Sequence, residues 1–221
     1  MSMRPLSLLE ARVLGVLVEK SLTVPDSYPL SLNALTLGCN QKTARDPVLA
    51  ASDAEVQGAV DALKTLSLAF ESSGSRVSRY EHNMGRVLGL PSQSVALLAT
   101  LMLRGPQTAS ELRTASERLH RFADISAVEG FLDELATRAE EKGGPLAVKL
   151  PRAPGAREPR WAHLLGGPVD TASFAAASDG EAIVPMSELA ALRSRVSVAE
   201  GELERLKGLV DRLYGELDIR H

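Results

Sequence analysis

The sequence predicts a mainly α-helical protein with small β-hairpins, built as two tandem winged helix-turn-helix domains and a C-terminal coiled-coil helix. Two observations predict this fold class. One order of elements occurs twice, with three helical segments followed by two short strands around a turn. Leucine and valine then recur at heptad spacing near the C-terminus. The predicted parts are domains over 5–88 and 91–166, a flexible linker over 167–185 and a heptad helix over 186–219.

The first copy opens with a helix predicted over residues 7–22, where apolar side chains recur three or four residues apart. Ser31 is suited to cap a short second helix, because its hydroxyl can accept a free backbone N–H. Ser52 and Glu55 form a capping-box pattern at the start of the third helix. Two strands around a Ser-Ser-Gly-Ser turn complete the copy, at Ala69–Glu71 and Val77–His82.

The second copy repeats these signals in the same order. A helix is predicted over Val95–Leu103, and Gly105 followed by Pro106 ends it. Thr108 with Glu111 predicts the start of the second helix, and Ser126 with Glu129 predicts the start of the third. Two strands are expected around a Pro- and Gly-containing turn, at Leu146–Leu150 and Trp161–Leu165. Equivalent caps at equivalent places indicate a duplication.

The charge distribution limits how the chain could bind nucleic acid. The net charge is −3. Residues 1–90 carry nine basic and nine acidic side chains, and residues 91–168 carry ten and nine. A DNA-binding domain usually has a clear basic excess, which neither half has. The third helices are acidic, with carboxylates that would repel phosphates in a groove, at Asp53, Glu55, Asp61, Glu129, Asp133 and Glu134.

The segment from Tyr28 to Pro47 has the distinctive sequence YPLSLNALTLGCNQKTARDP. It resembles the signature of the YceH family of uncharacterised bacterial proteins, and the likeness extends over residues 5–165. The resemblance implies two tandem winged-helix domains, a C-terminal heptad segment and a DNA-binding-like class. It transfers no catalytic residue to this chain.

Basic and amide side chains collect away from the third helices, in the turn between helices two and three and in the two hairpins, or wings. Such side chains contact phosphates and base edges. The sequence therefore predicts a double-stranded DNA interface formed by the turn and the wings, at Asn40, Gln41, Lys42, Thr43, Arg45, Arg76, Arg79, Arg152, Arg157 and Arg160.

Two alternatives stay open beside this interpretation. In the first, Asn40 and Gln41 cap the second helix, and Arg45 pairs with Asp46 or another nearby acid. In the second, the winged-helix fold is a scaffold for protein contacts, and the acidic third helices face a basic protein partner. Tyr80 and Trp161 could stack on bases, but an aromatic side chain at the end of a hairpin more often packs on its own helix.

Other classes of function receive no support from the sequence. The chain contains no phosphate loop, no nucleophile elbow and no carboxylate pair placed for catalysis, so we expect no enzyme and no cofactor. The four histidines and the single Cys39 lack metal-ligand spacing, and we expect no metal. Glu10 and Arg12 interrupt the first apolar residues, so no signal peptide is expected. No apolar run is long enough to span a bilayer. A cytoplasmic protein without membrane contact is expected.

The heptad helix is expected to make the protein a homodimer through an apolar seam. The seam consists of Leu189, Leu192, Val196, Leu203, Leu206, Val210, Leu213 and Leu217.

Two charges in this seam should separate the dimer. The double variant Leu203→Asp, Leu206→Asp should be a monomer by light scattering, because carboxylates cannot be buried between the helices without partners. If the unmodified chain is already a monomer, the heptads do not form an intermolecular seam and pack on the rest of their own chain.

Overall fold

Three helices and a three-stranded sheet form the first repeat of the protein. The computed structural model describes residues 3–72, 77–152 and 156–169. The helices are α1 (Leu8–Thr23), α2 (Leu32–Cys39) and α3 (Asp53–Thr65). The antiparallel sheet has the order β1-β3-β2, with strands β1 (Leu30–Ser31), β2 (Ala69–Ser72) and β3 (Arg79–His82). The hairpin was predicted from the sequence, but the short strand β1 was missed.

The second repeat has the same order of elements. Helix α4 (Met84–Leu88) leads into it, and α5 (Ser92–Arg104), α6 (Ala109–Ala115) and α7 (Ile125–Ala136) form the triad. Strands β4 (Ala147–Lys149) and β5 (Trp161–His163) pair as an antiparallel two-stranded sheet. The described part of the chain is therefore mostly helical with small antiparallel sheets, as predicted.

Most of the predicted helix caps are present. Ser31 accepts the N–H of Ala34, and complete capping boxes join Ser52 to Glu55 and Thr108 to Glu111. The prediction that Ser126 caps α7 is wrong. Asp124 accepts the N–H of Ala127 at 2.8 Å, so the helix begins two residues earlier and contains Ser126 in its first turn.

The two repeats share one detail that supports the duplication. In the first, Leu30 lies immediately before the Ser31 cap of α2 and pairs with Tyr80 of β3. In the second, Gln107 lies immediately before the Thr108 cap of α6 and forms an isolated bridge to Trp161 of β5. Both aromatic side chains are buried. Each one thus packs inside its own repeat, and neither is exposed for stacking on a base.

Helices α1 and α5 pack against each other and join the two repeats in one hydrophobic cluster. Gly15 permits a close approach, because a Cβ atom there would lie 3.0 Å from Cγ of Leu103. Backbone bonds extend the contact: Leu6 N–H donates to the Leu165 carbonyl at 2.8 Å, and Asp46 N–H donates to the Leu103 carbonyl at 2.8 Å.

Several sequence predictions concern residues outside the described ranges. These are Arg76 in the first wing, the linker beyond Val169, and the whole heptad segment over 186–219 with its seam from Leu189 to Leu217. They stay predictions.

Two helical glycines should respond to alanine in opposite directions. At Gly38 a Cβ atom would lie 2.6 Å from Cγ1 of buried Val16, whereas at Gly58 no atom lies within 4 Å. Gly38→Ala should lower the free energy of unfolding by about 1–3 kcal/mol through overpacking. Gly58→Ala should raise it by about 0.8–1 kcal/mol through helix propensity. Urea denaturation measures both changes, and equal changes would contradict the described packing of α1 on α2.

Candidate nucleic-acid interface

The connector between α2 and α3 of the first repeat, residues 40–51, holds five of the predicted DNA contacts. Three of these side chains, Asn40, Gln41 and Arg45, bond within the connector. The Asn40 side-chain amide donates to the Ala51 carbonyl at 2.7 Å and accepts the Ala51 N–H at 2.8 Å. The side-chain oxygen of Gln41, Oε1, accepts a hydrogen bond from Arg45 at 2.7 Å. Asn40 therefore closes the connector end to end, and Gln41 holds its buried arginine.

Arg45 is the centre of the connector and is fully buried, with a side-chain exposure of 0%. Its Nη2 lies 2.6 Å from a carboxylate oxygen of Glu19 on α1, and its Nη1 lies 3.2 Å from the other oxygen. The remaining bonds go to Gln41 and to the carbonyls of Gly38 and Ala44. A guanidinium has five N–H donors, and all five are used here. Arg45 thus has no donor left for a phosphate.

The pKa of Glu19 reflects this pairing. Burial alone would raise the pKa of the carboxyl above its ordinary value, because burial disfavours the charged form. The bonds and the positive charge of Arg45 outweigh that effect and hold the pKa of Glu19 below the ordinary value. The folded state is therefore stabilised by the ionised carboxylate.

A second buried arginine, Arg12 of α1, was not among the predicted site residues. Its side chain is fully buried, and it donates to the Cys39 carbonyl at 3.0 Å and to the Pro47 carbonyl at 2.6 Å. Arg12 thus bonds the carbonyls at both ends of the segment from Cys39 to Pro47, which contains Arg45. The seven-residue spacing of Arg12 and Glu19 places both on one face of α1, which is the signal that could have identified them.

Lys42 and Thr43 are exposed, unlike Arg45. Lys42 makes no ion pair with any described residue. The alternative in which Arg45 pairs with an acid describes Arg45, although that acid is Glu19 and not Asp46. The Asn40 side chain bonds Ala51 and the Gln41 side chain bonds Arg45, so neither side chain caps α2. Of the five predicted contacts in the connector, Lys42 and Thr43 are the two that face solvent.

The wing arginines are at the surface. Arg79 donates to the Pro29 carbonyl at 2.9 Å, and Arg160 donates to the Pro106 carbonyl at 2.8 Å. Arg160 also pairs with Glu111 at 3.2 Å, where both side chains are about half exposed. Arg152 and Arg157 are exposed on either side of the undescribed residues 153–155. These cations are accessible to a phosphate backbone.

The last turn of α6 and the turn between α6 and α7, together called the arginine turn, carry a cluster of exposed arginines that sequence reasoning missed. Arg113, Arg118 and Arg121 are all exposed, and Arg113 donates to the Ala123 carbonyl at 3.1 Å. Within the described ranges none of the three makes an ion pair. Two nearby carboxylates, Glu117 and Asp124, leave a local excess of one positive charge. Aligning this turn with residues 40–45 of the first repeat could have identified it.

Aromatic packing holds this arginine turn in place. Buried Phe122 makes edge contacts with His120 and Phe131, with ring centroids 4.7 Å and 6.0 Å apart. Phe131 belongs to α7, so the turn is anchored to the helix that follows it. The arginines therefore extend from a fixed support.

The acidic third helices are exposed as predicted. Asp53, Glu55 and Asp61 of α3 face solvent, as do Asp133 and Glu134 of α7. The described residues contain no grouping of His, Cys, Asp or Glu side chains suited to a metal ion. No described helix has both the length and the apolar character needed to cross a membrane.

Comparison with known proteins agrees with the sequence resemblance. A family model described as "Protein of unknown function, DUF480" matches residues 6–156. The chain belongs to the DUF480 family. A UPF0502 protein of Burkholderia multivorans is 62% identical over 220 residues, covering 99% of this chain and 92% of its own. A UPF0502 protein of Leptothrix cholodnii is 60% identical over 219 residues, covering 98% of this chain and 97% of its own. The YceH-type resemblance is consistent with this family.

The Glu19–Arg45 pair should make stability depend on pH. Because the pKa of Glu19 is lower in the folded state, the pair should stabilise the fold fully above the ordinary value of 4.5. That contribution should be lost as the pH falls through the lower folded pKa. At pH 7, Glu19→Gln should lower the free energy of unfolding by about 3 kcal/mol. The difference in free energy of unfolding between Glu19→Gln and the unmodified chain should disappear in acid.

Denaturant titrations from pH 3 to pH 7 measure this gap. Glu117→Gln is the matched control, because Glu117 is exposed and has no ion pair among the described residues. It should change the free energy of unfolding by less than about 0.5 kcal/mol. A Glu19→Gln effect that is independent of pH would contradict an ionic role for the pair.

Proposed function

We propose that this protein is a double-stranded DNA-binding regulator of the winged-helix class, without catalytic activity. Each repeat has the order helix, helix, helix, hairpin that this class uses. The observation that carries the proposal is the exposed Arg113, Arg118 and Arg121 cluster beside the start of α7. In helix-turn-helix proteins the start of the third helix is the part closest to the bases.

The proposed contact set joins that cluster to the wings. The second repeat contributes the α6–α7 turn with Arg152, Arg157 and Arg160, and the first contributes Lys42 and Arg79. These side chains would bind phosphates, which supply affinity and orientation but no sequence information. The exposed carboxylates of α3 and α7 would keep the bodies of those helices out of a groove, so binding should be weak and salt-sensitive.

Dimerisation through the heptad segment is part of the proposal. A dimer would carry four repeats on one assembly. Once one repeat is bound, the others act at a high effective concentration, so modest contacts combine into useful affinity.

A protein-interaction scaffold is the second candidate. The exposed carboxylates of α3, at Asp53, Glu55 and Asp61, favour it, because exposed carboxylates attract a basic protein segment. This candidate requires no DNA contact. Absence of duplex binding at low salt would favour it over the first.

The DNA proposal can be tested at the arginine turn. The double variant Arg118→Ala, Arg121→Ala should weaken duplex binding and reduce the slope of log K against log salt by about 1–2, because each phosphate contact contributes about 0.9 to that slope. Fluorescence anisotropy with a genomic duplex across a salt series measures both quantities.

The control is Arg86→Ala with Arg104→Ala, which removes the same charge from exposed positions outside the contact set. Its salt slope should equal that of the unmodified chain. An equal loss of slope in both variants would indicate a general charge effect and would remove the turn from the site.

A further inference from the structure

A cavity of about 780 Å³ lies where the first repeat meets the end of the second. Small-molecule sites in proteins typically measure about 300–1,000 Å³ and favour such junctions. The first repeat lines it with the N-terminal segment and α4, and the second lines it with the loop between α7 and β4. None of the cations in the proposed DNA contact set lines the cavity.

The walls of the cavity are mainly apolar. Val87 and Leu88 of α4 face Leu146 and Val148 of the β4 region, and Leu164 and Leu165 line it after β5. Val87 is 38% exposed, whereas the adjacent Leu88 is 8% exposed. Such walls would cover the apolar body of a ligand and exclude water from it.

Arg138 supplies the charge in this apolar setting. Its Nη2 donates to the Leu88 carbonyl, which orients the guanidinium at the cavity. Gly143 lies directly beside Nη1, since a Cβ atom there would be 3.5 Å away. No described carboxylate pairs with Arg138. Burial lowers the pKa of this arginine, as expected for a cation that lacks a counter-ion.

The other charged groups in the lining leave a positive excess. Arg4 is neutralised by Glu10, with two bonds of 2.8 Å between guanidinium and carboxylate. Lys142 and Arg138 then face a single carboxylate, that of Glu140. Glu140 lies against Gly144, where a Cβ atom would be 3.0 Å from its Oε2. The lining therefore favours an anion over a cation.

We propose that this cavity binds a small organic acid with an apolar body, whose carboxylate pairs with Arg138. A guanidinium presents paired N–H donors that match the two oxygens of a carboxylate. Because both repeats line the cavity, the ligand would also stabilise their packing. This inference is independent of DNA binding.

Octanoate serves as the probe, with octan-1-ol as a neutral compound of the same length. Both are titrated into the full chain by calorimetry, below the concentration at which octanoate forms micelles. Octanoate should bind at one site, and octan-1-ol about tenfold or more weakly, because it cannot form the charge-assisted pair. No octanoate binding, or equal binding of the two, would overturn the proposal.

Three variants locate the site. Arg138→Gln should weaken octanoate binding by about tenfold and leave octan-1-ol binding nearly unchanged, because it removes the guanidinium and leaves the apolar walls in place. Val87→Trp should abolish binding of both by filling the cavity. Val24→Trp is the matched control, since Val24 is also 38% exposed but lies outside the lining, and it should bind like the unmodified chain.

Thermal melts of each variant check folding, because Arg138 also bonds the Leu88 carbonyl. If Arg138→Gln unfolds, the comparison of Val87→Trp with Val24→Trp decides the location. Equal octanoate affinity in those two variants, or undiminished affinity in folded Arg138→Gln, would overturn the assignment.

Discussion

The ion pair between Arg45 and Glu19 holds the α2–α3 connector against α1, and much of the first repeat depends on it. Burying a guanidinium is costly unless every donor finds an acceptor, and here all five do. Arg12 adds bonds to the carbonyl of Cys39, the last residue of α2, and to the carbonyl of Pro47 within the connector. The same connector also donates to Leu103 of α5. Once it is fixed on α1, its outer edge forms part of the contact between the repeats.

This constraint explains why two repeats with one topology use the same turn differently. In the first repeat the arginine of the turn, Arg45, is buried and is a structural member of the core. In the second repeat the equivalent turn faces solvent, and Phe122 anchors it from below while three arginines remain exposed. The polar turn of the first repeat therefore contributes to packing within the fold. The second offers the more accessible positive surface, which is the physical basis of the proposed DNA contact.

The segment from Tyr28 to Pro47, which carries the resemblance to the YceH family, also has a packing role. The Tyr28 hydroxyl accepts the His82 N–H at 2.7 Å, and burial raises the pKa of that hydroxyl to about 12. Cys39 is buried, and burial raises the pKa of its thiol to about 12, so it is a core residue and not a reactive one. A polar sequence motif can thus serve the fold while resembling a binding site.

Local signals in the sequence determined the helices, the hairpins and most of the caps, because a cap is a bond between residues only three apart. The same reasoning failed where two local solutions compete, as with Asp124 and Ser126, and where an element is very short, as with β1. The tertiary structure alone decided what the polar residues do. Arg45 and Glu19 are 26 residues apart, and Arg138 and Leu88 are 50 apart. Burial and pairing at such separations depend on how helices pack, and no local pattern records that.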